Sequence, residues 1–244
     1  MRQLFPVPGD VHPVDAYARP EPAEPGRSRV RLNMIASVDG ATSVDGRSGA
    51  LGGPADKAMF ATLRSLADAI LVGAGTMRAE GYGPVRLSDA ARGRRQARGL
   101  SPVPPIAVIS RTCRLEWEAP FFTEAEQRPL VVTVGSAAAA DRRRAAEVAD
   151  VIISGETDVD LARALSALVE RGCTEIVSEG GPGIAAQLAT VGLLDEVCLT
   201  VSPMLAAGQG GRILDGPALS PLLPLELVHV LEADGYLFLR YRRG

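Results

Sequence analysis

The sequence predicts an α/β protein whose central sheet is mixed but mostly parallel. Short apolar runs of strand length alternate with segments of helical spacing along most of the 244 residues. This alternation is typical of a parallel sheet that is covered by helices on both faces. Two further strand-like runs, 227–231 and 236–241, flank Asp234-Gly235, a dipeptide that favours a hairpin turn. Antiparallel strands are therefore expected at the C-terminal end.

The individual elements follow from apolar spacing and from glycine and proline positions. Strands are predicted at 30–36, 69–72, 105–109, 130–134, 151–153, 175–177 and 196–201. Helices are predicted at 54–66, 137–149, 159–171 and 183–190, where apolar residues recur with helical spacing or a proline opens the segment. The polar, arginine-rich stretch 86–101 is predicted to be a surface loop.

Residues 1–28 differ in composition from the rest of the chain. They carry six prolines, which predicts an extended arm without a core of its own. No internal repeat or linker is visible after Arg29. We therefore expect one domain over residues 29–244.

Composition and charge exclude several classes of function. The net charge of −3 gives no field that would recruit nucleic acid or an anionic membrane. Cys113, Cys173 and Cys198 are widely spaced, which predicts buried free thiols rather than disulfides or a zinc site. The two histidines, His12 and His229, lie far apart, so no metal site is expected. No apolar run reaches membrane-span length and no signal-peptide core is present, so a cytoplasmic location is expected.

Two glycine-containing turns follow predicted buried strands. Gly73 and Gly75, with Thr76, follow the strand at 69–72, where backbone amides could approach a phosphate. This GxG pattern is also compatible with a simple strand-to-helix turn, and it is not a full dinucleotide fingerprint. The second turn, Glu179-Gly180-Gly181-Pro182-Gly183, also precedes a helix and would place Glu179 at a ligand cleft. The alternative is an exposed glutamate on a flexible turn.

Other polar residues stand where parallel strands end. Ser110, Arg111 and Thr112 follow the strand at 105–109 and would suit the 2′-phosphate of NADPH, although a solvated surface arginine is an equal possibility. Asn33 lies in an apolar strand and needs a partner if it is buried. Asp39, before Gly40, is expected to organise a loop.

Three more side chains are candidates on the substrate side. Glu80 could order a substrate or deliver a proton through water. Ser48 and Arg64 could hold a substrate phosphate. Each has an ordinary alternative, namely a helix-end acid, a loop serine and a helix-surface arginine.

Taken in order, these motifs resemble the reductase domain of riboflavin biosynthesis over about residues 29–242. The motifs are Asn33-x-x-Ala36-Ser37-Val38-Asp39-Gly40, Arg64-x-x-x-Asp68-Ala69-Ile70-Leu71-Val72-Gly73-Ala74-Gly75-Thr76, Ile176-Val177-Ser178-Glu179-Gly180-Gly181-Pro182 and Leu194-Asp195-Glu196-Val197. The resemblance implies a three-layer α/β/α fold like that of dihydrofolate reductase, with NADPH as cofactor and a homodimer as the assembly. It also implies reduction of 5-amino-6-(5-phosphoribosylamino)uracil to the ribitylamino compound.

The resemblance also implies roles for single residues. Glu80 and Glu179 would be the catalytic carboxylates, and the substrate would contact Asn33, Ser48, Arg64 and Glu179. The residues implied at the cofactor are Ala36, Gly73, Gly75, Thr76, Glu80, Ser110, Arg111, Thr112, Ile153, Gly180, Gly181, Pro182, Gly183 and Ile184. The chain departs from bifunctional members by lacking a zinc deaminase signature before residue 29, and from many members by having Asn33 and Glu80 in place of lysine and aspartate.

The residues leave two alternatives open. One is a reductase of the same fold that acts on a pterin or dihydrofolate-like substrate. The other is a non-catalytic NADP(H)-binding module, against which the polar residues Asn33, Glu80 and Glu179 argue. In the catalytic hypothesis, NADPH binds across the two glycine turns, hydride reaches C1′ of the opened ribose as an imine, and the protein mainly positions the reactants.

Overall fold

The computed structural model describes residues 1–18 and 23–244, which form two compact units. Unit 1 comprises Met1–Pro22, of which residues 1–18 are described, together with Arg29–Leu66 and Val177–Gly244. Unit 2 comprises Ala23–Ser28 and Ala67–Ile176. The predicted boundary between an arm at 1–28 and a domain at 29–244 stays a prediction.

The described residues contain eleven strands and eight helices, numbered in chain order. The strands are β1 (Arg2–Phe5), β2 (Gly9–Asp10), β3 (Arg29–Ser37), β4 (Ala69–Gly73), β5 (Ile106–Ile109), β6 (Leu130–Thr133), β7 (Asp150–Ile153), β8 (Glu175–Ser178), β9 (Glu196–Ser202), β10 (Leu225–Ala233) and β11 (Tyr236–Arg243). The helices are α1 (Pro13–Tyr17), α2 (Pro54–Leu66), α3 (Ala74–Glu80), α4 (Asp89–Ala97), α5 (Pro120–Thr123), α6 (Ala139–Val148), α7 (Leu161–Val169) and α8 (Pro182–Thr190).

The strands of unit 1 run in the order β2-β1-β10-β11-β9-β3. β3 and β9 are parallel, with Arg31 opposite Glu196 and Ile35 opposite Thr200. The other pairs in this order are antiparallel. The predicted hairpin is confirmed, since β10 and β11 are joined by Asp234 and Gly235, which both have positive φ angles of 54° and 81°.

Unit 2 has the purely parallel order β4-β5-β6-β7. Ile70, Leu71 and Val72 of β4 are fully buried, as expected for a strand in a sheet that is covered on both faces. Val108 and Val131 of the neighbouring strands are fully buried as well. The predicted α/β class with a mixed, mostly parallel sheet and a C-terminal antiparallel hairpin is confirmed.

The prediction of an extended arm is corrected for residues 1–18. β1 pairs with β10, and α1 begins after His12, whose ring accepts a hydrogen bond from the amide of Val14. Tyr17 at the end of α1 is only 1% exposed, so this segment contributes to the core of unit 1. Proline content hid these elements, because Pro13 stands at the first helical position, where it is well tolerated. Pro20 and Pro22 of the predicted arm lie outside the described residues.

The prediction of a surface loop over 86–101 is wrong for its central part, which forms α4. Ser88 caps this helix by accepting a hydrogen bond from the amide of Ala91, and Asp89 adds a favourable charge to the first turn. Arg95 is buried, and its guanidinium donates to the carbonyls of Ala67 and Ser101. Arg95 therefore fills a buried position of α4 where an apolar residue is usual, so the apolar spacing that predicts a helix is missing.

The three cysteines are free and buried, which confirms their predicted state. Across the described residues, no helix combines the length and apolar character that crossing a membrane requires.

Candidate active site

A buried ion pair joins two of the predicted substrate residues in unit 1. Arg64 near the end of α2 donates from Nε to Oε1 of Glu179 at 2.7 Å and from its terminal nitrogen to Oε2 at 2.8 Å. The Arg64 and Glu179 side chains are 12% and 2% exposed. Such a bidentate pair is charge-assisted and fixes the relative orientation of its two partners. The sequence named both residues but did not predict that they bind each other.

The guanidinium of Arg64 is also stacked on an aromatic ring. Its Cζ lies 4.1 Å from the centroid of the Phe60 ring, one helical turn earlier on α2. Asp56 stands a further turn earlier, so Asp56, Phe60 and Arg64 follow each other along one side of the helix. All three are half-buried, whereas Met59 and Leu63 face the core.

Asn33 lies in the middle of β3 and is half-buried, as a ligand-facing amide would be. It pairs in register with Cys198 of β9, and Ile35 two residues later is half-buried on the same face. Ala36 is buried near the end of the strand. Ser48 is half-buried in the loop that follows, and its carbonyl accepts from the amide of Leu51 at 2.9 Å.

The turn after β8 brings backbone close to β3. Gly180 has a φ of +79°, and a Cβ at this position would lie 3.2 Å from Sδ of Met34. Gly181 precedes α8 as its N-cap and offers no side-chain hydrogen bond to the first turn, where Pro182 stands first. Gly183 is exposed and Ile184 is half-buried. Amides in the first turn of α8 therefore lack a side-chain cap and suit an anionic group.

Asp39 organises a loop, as the sequence predicts. Its carboxylate accepts hydrogen bonds from the amides of Ala207 at 2.7 Å and Ala206 at 3.2 Å, and from the hydroxyl of Ser37. The Ser37 bond, followed by those from Ala207 and Ala206, lowers the pKa of Asp39 to about 2. The loop after β3 is thereby tied to the loop after β9.

We expect Asp39→Asn to loosen this loop contact without unfolding the chain. An amide keeps one acceptor oxygen but loses the charge that strengthens three hydrogen bonds. The pKa is depressed, so the wild-type contact is complete above the unfolded value of 3.8 and is lost as pH falls through about 2. Amide hydrogen exchange at Ala206 and Ala207 should be faster in the variant at neutral pH, and unchanged exchange there would contradict the tether.

In unit 2, the predicted glycine turn is a strand end followed directly by a helix. Gly73 is the last residue of β4 and the N-cap of α3, while Gly75 and Thr76 belong to the first turn. Thr76 and Glu80 are one helical turn apart and both half-buried, so they share a side of α3. Gly81 ends the helix in the left-handed conformation with a φ of 64°.

The remaining cofactor candidates of unit 2 stand at the carboxyl ends of β5 and β7. Ser110 is buried, whereas Arg111 and Thr112 are exposed. Arg111 forms a solvent-exposed ion pair with Asp158. The charged atoms are 3.5 Å apart, and the arginine side chain is 67% exposed. Ile153 is 52% exposed, which is unusual for an isoleucine at the end of a strand and suits contact with an apolar ring.

One polar residue near the predicted substrate side was missed. Asp56 stands in the first turn of α2, and burial raises its pKa more than the Thr200 hydroxyl on β9 and the charge of Lys57 lower it. Along the sequence, Asp56 stands near the start of the helix predicted at 54–66 and was not among the predicted site residues. The spacing was a signal, because Asp56, Phe60 and Arg64 are four residues apart and so lie on one side of a helix.

Comparison with known proteins gives the family. The model of the RibD C-terminal domain matches residues 28–237. The chain belongs to this family. A relative from Archaeoglobus fulgidus, named 2,5-diamino-6-ribosylamino-4(3H)-pyrimidinone 5′-phosphate reductase, is 30% identical over 192 residues, which cover 78% of this chain and 87% of the relative. The predicted reductase family and the prediction of an oxidoreductase are confirmed.

Two solved structures show the same fold. A pyrimidine reductase-like protein from Corynebacterium diphtheriae superposes with a TM-score of 0.81 at 27% identity, covering 89% of this chain and 92% of that one. Dihydrofolate reductase from Enterococcus faecalis, complexed with NADP(H), has a TM-score of 0.52 at 13% identity, over 88% of this chain and 96% of that one. The likeness to dihydrofolate reductase concerns the fold alone. This RibD C-terminal domain therefore has the predicted reductase architecture.

Proposed function

We propose that this RibD C-terminal domain uses NADPH to reduce the phosphoribosylamino group of a 5-amino-pyrimidine, giving the ribitylamino compound of riboflavin biosynthesis. The observation that carries the proposal is the arrangement at the end of β8. There the family's Glu179-Gly180-Gly181 motif combines a substrate-side carboxylate, held by Arg64, with a glycine turn that opens α8. A polar clamp next to an anion-receptive turn suits an enzyme that holds a phosphorylated substrate and a dinucleotide.

The residues present fit a phosphorylated dinucleotide. In unit 1, Gly180 leaves space beside Met34 that a side chain would fill, and α8 begins with amides that no side chain caps. In unit 2, Gly73 likewise begins α3 without a side-chain cap, and Arg111 is exposed where a 2′-phosphate could be bound. When bound, NADPH supplies a hydride. Ala36, Gly75, Thr76, Ser110, Thr112, Ile153, Gly181, Pro182, Gly183 and Ile184 are proposed to contact it.

The side chains of unit 1 are proposed to hold the substrate. Arg64 and Glu179 orient each other, so either one can present a fixed hydrogen-bonding edge to a ligand. Asn33 on β3 offers a hydrogen-bond donor and an acceptor, and Ser48 adds a hydroxyl from the loop that follows β3. Because both Glu179 oxygens accept from Arg64, we assign Glu179 to binding rather than to proton transfer. Glu80 is proposed to act in unit 2 beside Thr76, at the cofactor.

Two pyrimidines are candidate substrates, and they differ at one ring substituent. The motif resemblance favours 5-amino-6-(5-phosphoribosylamino)uracil. The relative from Archaeoglobus fulgidus is named for the compound with an amino group in place of the 2-oxo group, 2,5-diamino-6-ribosylamino-4(3H)-pyrimidinone 5′-phosphate. We propose the diamino compound as the better substrate, because that relative is matched over 87% of its length. The homodimer that the resemblance implies stays a prediction.

The test measures NADPH oxidation and identifies the product with four candidate substrates. These are the diamino compound, the uracil compound, dihydrofolate and dihydropterin. We expect kcat/KM to be highest for the diamino compound, with the ribitylamino product identified by mass spectrometry. Faster turnover of dihydrofolate or dihydropterin would overturn the proposed substrate class. NADPH binding without turnover of any of the four would support a non-catalytic module instead.

A further inference from the structure

Phe60 is an aromatic residue of α2 that stands beside the buried face of this helix. Ala55, Met59 and Leu63 form that face and are buried, whereas Phe60 is half-buried. An aromatic side chain in this position usually covers apolar neighbours with its ring. The ring of Phe60 instead lies against a charged group, so core packing alone does not explain its place on the helix.

The charged group is the guanidinium of Arg64, whose Cζ lies 4.1 Å from the centroid of the Phe60 ring. Arg31 and Arg240 lie over the ring of Tyr17 at the larger distances of 5.7 and 5.9 Å. The Arg64 contact is therefore the closest of the three. Attraction between a cation and a ring grows when water is excluded, and the Arg64 side chain is only 12% exposed.

Phe60 and Glu179 restrain the guanidinium of Arg64 in two different ways. The Glu179 carboxylate accepts hydrogen bonds from Nε at 2.7 Å and from a terminal nitrogen at 2.8 Å, which fixes one edge of the group. The Phe60 ring lies beneath Cζ, the centre of the group, and blocks movement on that side. Together, the carboxylate and the ring hold the guanidinium in one position before any ligand arrives.

An arginine that is already held in place can bind an anion at a lower entropic cost. Arginine is among the side chains that lose the most rotamer freedom when they are immobilised. Preorganisation removes this loss from the binding step and so strengthens binding. The ribosyl phosphate of the proposed substrate is an anion that suits an arginine.

We propose that Phe60 is a positioning residue of the reductase, which holds the Arg64 guanidinium in place for the phosphate of the substrate. The inference rests on the proposed function. Phe60 acts through Arg64 and does not need to touch the substrate. The phosphate is not part of the bond that is reduced, so its binding is the same in the ground state and in the transition state. Loss of the positioning should therefore raise KM and leave kcat nearly unchanged.

Phe60→Leu removes the ring and keeps an apolar side chain of similar length. KM for the diamino pyrimidine should rise roughly tenfold, which corresponds to about 1.4 kcal/mol and lies within the range of contacts between a cation and a ring. The value of kcat should stay within about twofold of the wild type. Phe60→Tyr keeps an aromatic face, so it should retain a KM close to that of the wild type. Titration calorimetry with ribose 5-phosphate as the probe should show the same order of affinities.

Replacement of Phe60 by trifluorophenylalanine separates attraction to the cation from packing. Fluorine atoms withdraw electron density from the ring face and so weaken its attraction to a cation, while the shape and apolar character of the side chain are nearly kept. KM should rise by about threefold or more in this variant. A purely structural phenylalanine would tolerate the fluorine atoms, and KM would then equal that of the wild type. This variant remains informative if Phe60→Leu folds poorly.

The Nε–H proton of Arg64 gives a readout that needs neither substrate nor cofactor. Because the guanidinium lies over the Phe60 ring and donates to Glu179, this proton should be shifted upfield by the ring current and should exchange slowly with water. Phe60→Leu should remove the upfield shift and speed the exchange. An unchanged signal in the NMR spectrum of Phe60→Leu would contradict the restraint by the ring.

Phe5→Leu is the matched control, since Phe5 is a 42% exposed phenylalanine at the end of β1. β10, β11 and β9 stand between β1 and β3, so the control should leave KM and the Arg64 signal unchanged. A wild-type KM in Phe60→Leu, or a lower kcat with an unchanged KM, would overturn the role of Phe60. If the wild type neither reduces the phosphoribosylamino-pyrimidines nor binds ribose 5-phosphate, the proposed function itself has failed. That failure is distinguishable, because the NMR signal of Arg64 would still report the contact with Phe60.

Discussion

Glu196→Gln is expected to lower the free energy of unfolding by about 3–5 kcal/mol, the cost typical of breaking a buried ion pair. Glu196 on β9 is the shared acceptor of two buried arginines. Arg31 donates to its Oε2 at 2.8 Å, and Arg240 donates to Oε1 at 2.7 Å and to Oε2 at 3.2 Å. Without the carboxylate, two buried guanidinium groups would lose the acceptor that they share.

The N-terminal segment depends on the same cluster. Arg31 donates to the carbonyl of Tyr17 at 3.1 Å, and Arg240 donates to that of Ala16 at 2.9 Å, so both arginines bind the last turn of α1. Tyr17 packs edge-on against His229, with 4.6 Å between ring centroids. Burial, followed by the charges of Arg240 and Arg31, lowers the pKa of His229 to about 4. The imidazole is therefore neutral at physiological pH, which avoids a third positive charge.

Urea denaturation measures the loss of stability in Glu196→Gln, and a variant of an ion pair on the surface is the matched control. Glu226 and Arg242 join β10 to β11, with 3.1 Å between their charged atoms, but both are more than 60% exposed. Glu226→Gln should shift the unfolding midpoint very little, because exposed pairs contribute little. Equal midpoint shifts for Glu196→Gln and Glu226→Gln would contradict the assigned importance of the buried cluster.

Arg64→Met is expected to cost a similar amount, about 3–5 kcal/mol, because it removes the bidentate guanidinium from the nearly inaccessible carboxylate of Glu179. The substitution also removes the guanidinium that is stacked on Phe60. Reduction of the pyrimidine should be lost as well, since Arg64 is proposed to bind the substrate. Thermal unfolding and NADPH oxidation assays measure the two consequences.

Two comparisons identify the cause of the Arg64→Met effect. Arg92 and Glu126 form an exposed bidentate pair with two 2.8 Å contacts, so Arg92→Met should have a much smaller effect on unfolding. The double variant Arg64→Met/Glu179→Leu removes both charges and should recover much of the stability but none of the activity. No recovery of stability in the double variant would show that the cost came from lost packing, not from the broken ion pair.

The sequence predicted those elements in which local signals and tertiary structure agree. The strand around 30–36 and the Asp234-Gly235 hairpin were found because apolar patterning and turn chemistry both pointed to them. α4 was missed because its arginines gave no apolar stripe, although Ser88 and Asp89 form a recognisable helix start. The elements of residues 1–18 were missed because their stability comes from contacts with strands more than 200 residues later.

The site was predicted residue by residue but not as an arrangement. Motif order indicated Arg64 and Glu179 separately, yet their sequence separation of 115 hid their direct pairing. Asp56 shows a different limit, since the burial that raises its pKa comes from elements distant in sequence and leaves no local signal. Patterns along the chain specify which faces of helices and strands are buried. Which polar side chains meet between two elements depends on how those elements are aligned, and the local sequence does not show this.

The decisive measurement is the absorbance of the nicotinamide band of NADPH when purified protein is mixed with 2,5-diamino-6-ribosylamino-4(3H)-pyrimidinone 5′-phosphate. A catalytic decrease, with one ribitylamino product formed for each NADPH consumed, is the result expected of a reductase built on the Arg64–Glu179 clamp and the glycine turn after β8. A flat trace with this compound and with its uracil analogue, together with no detectable NADPH binding by calorimetry, would contradict it.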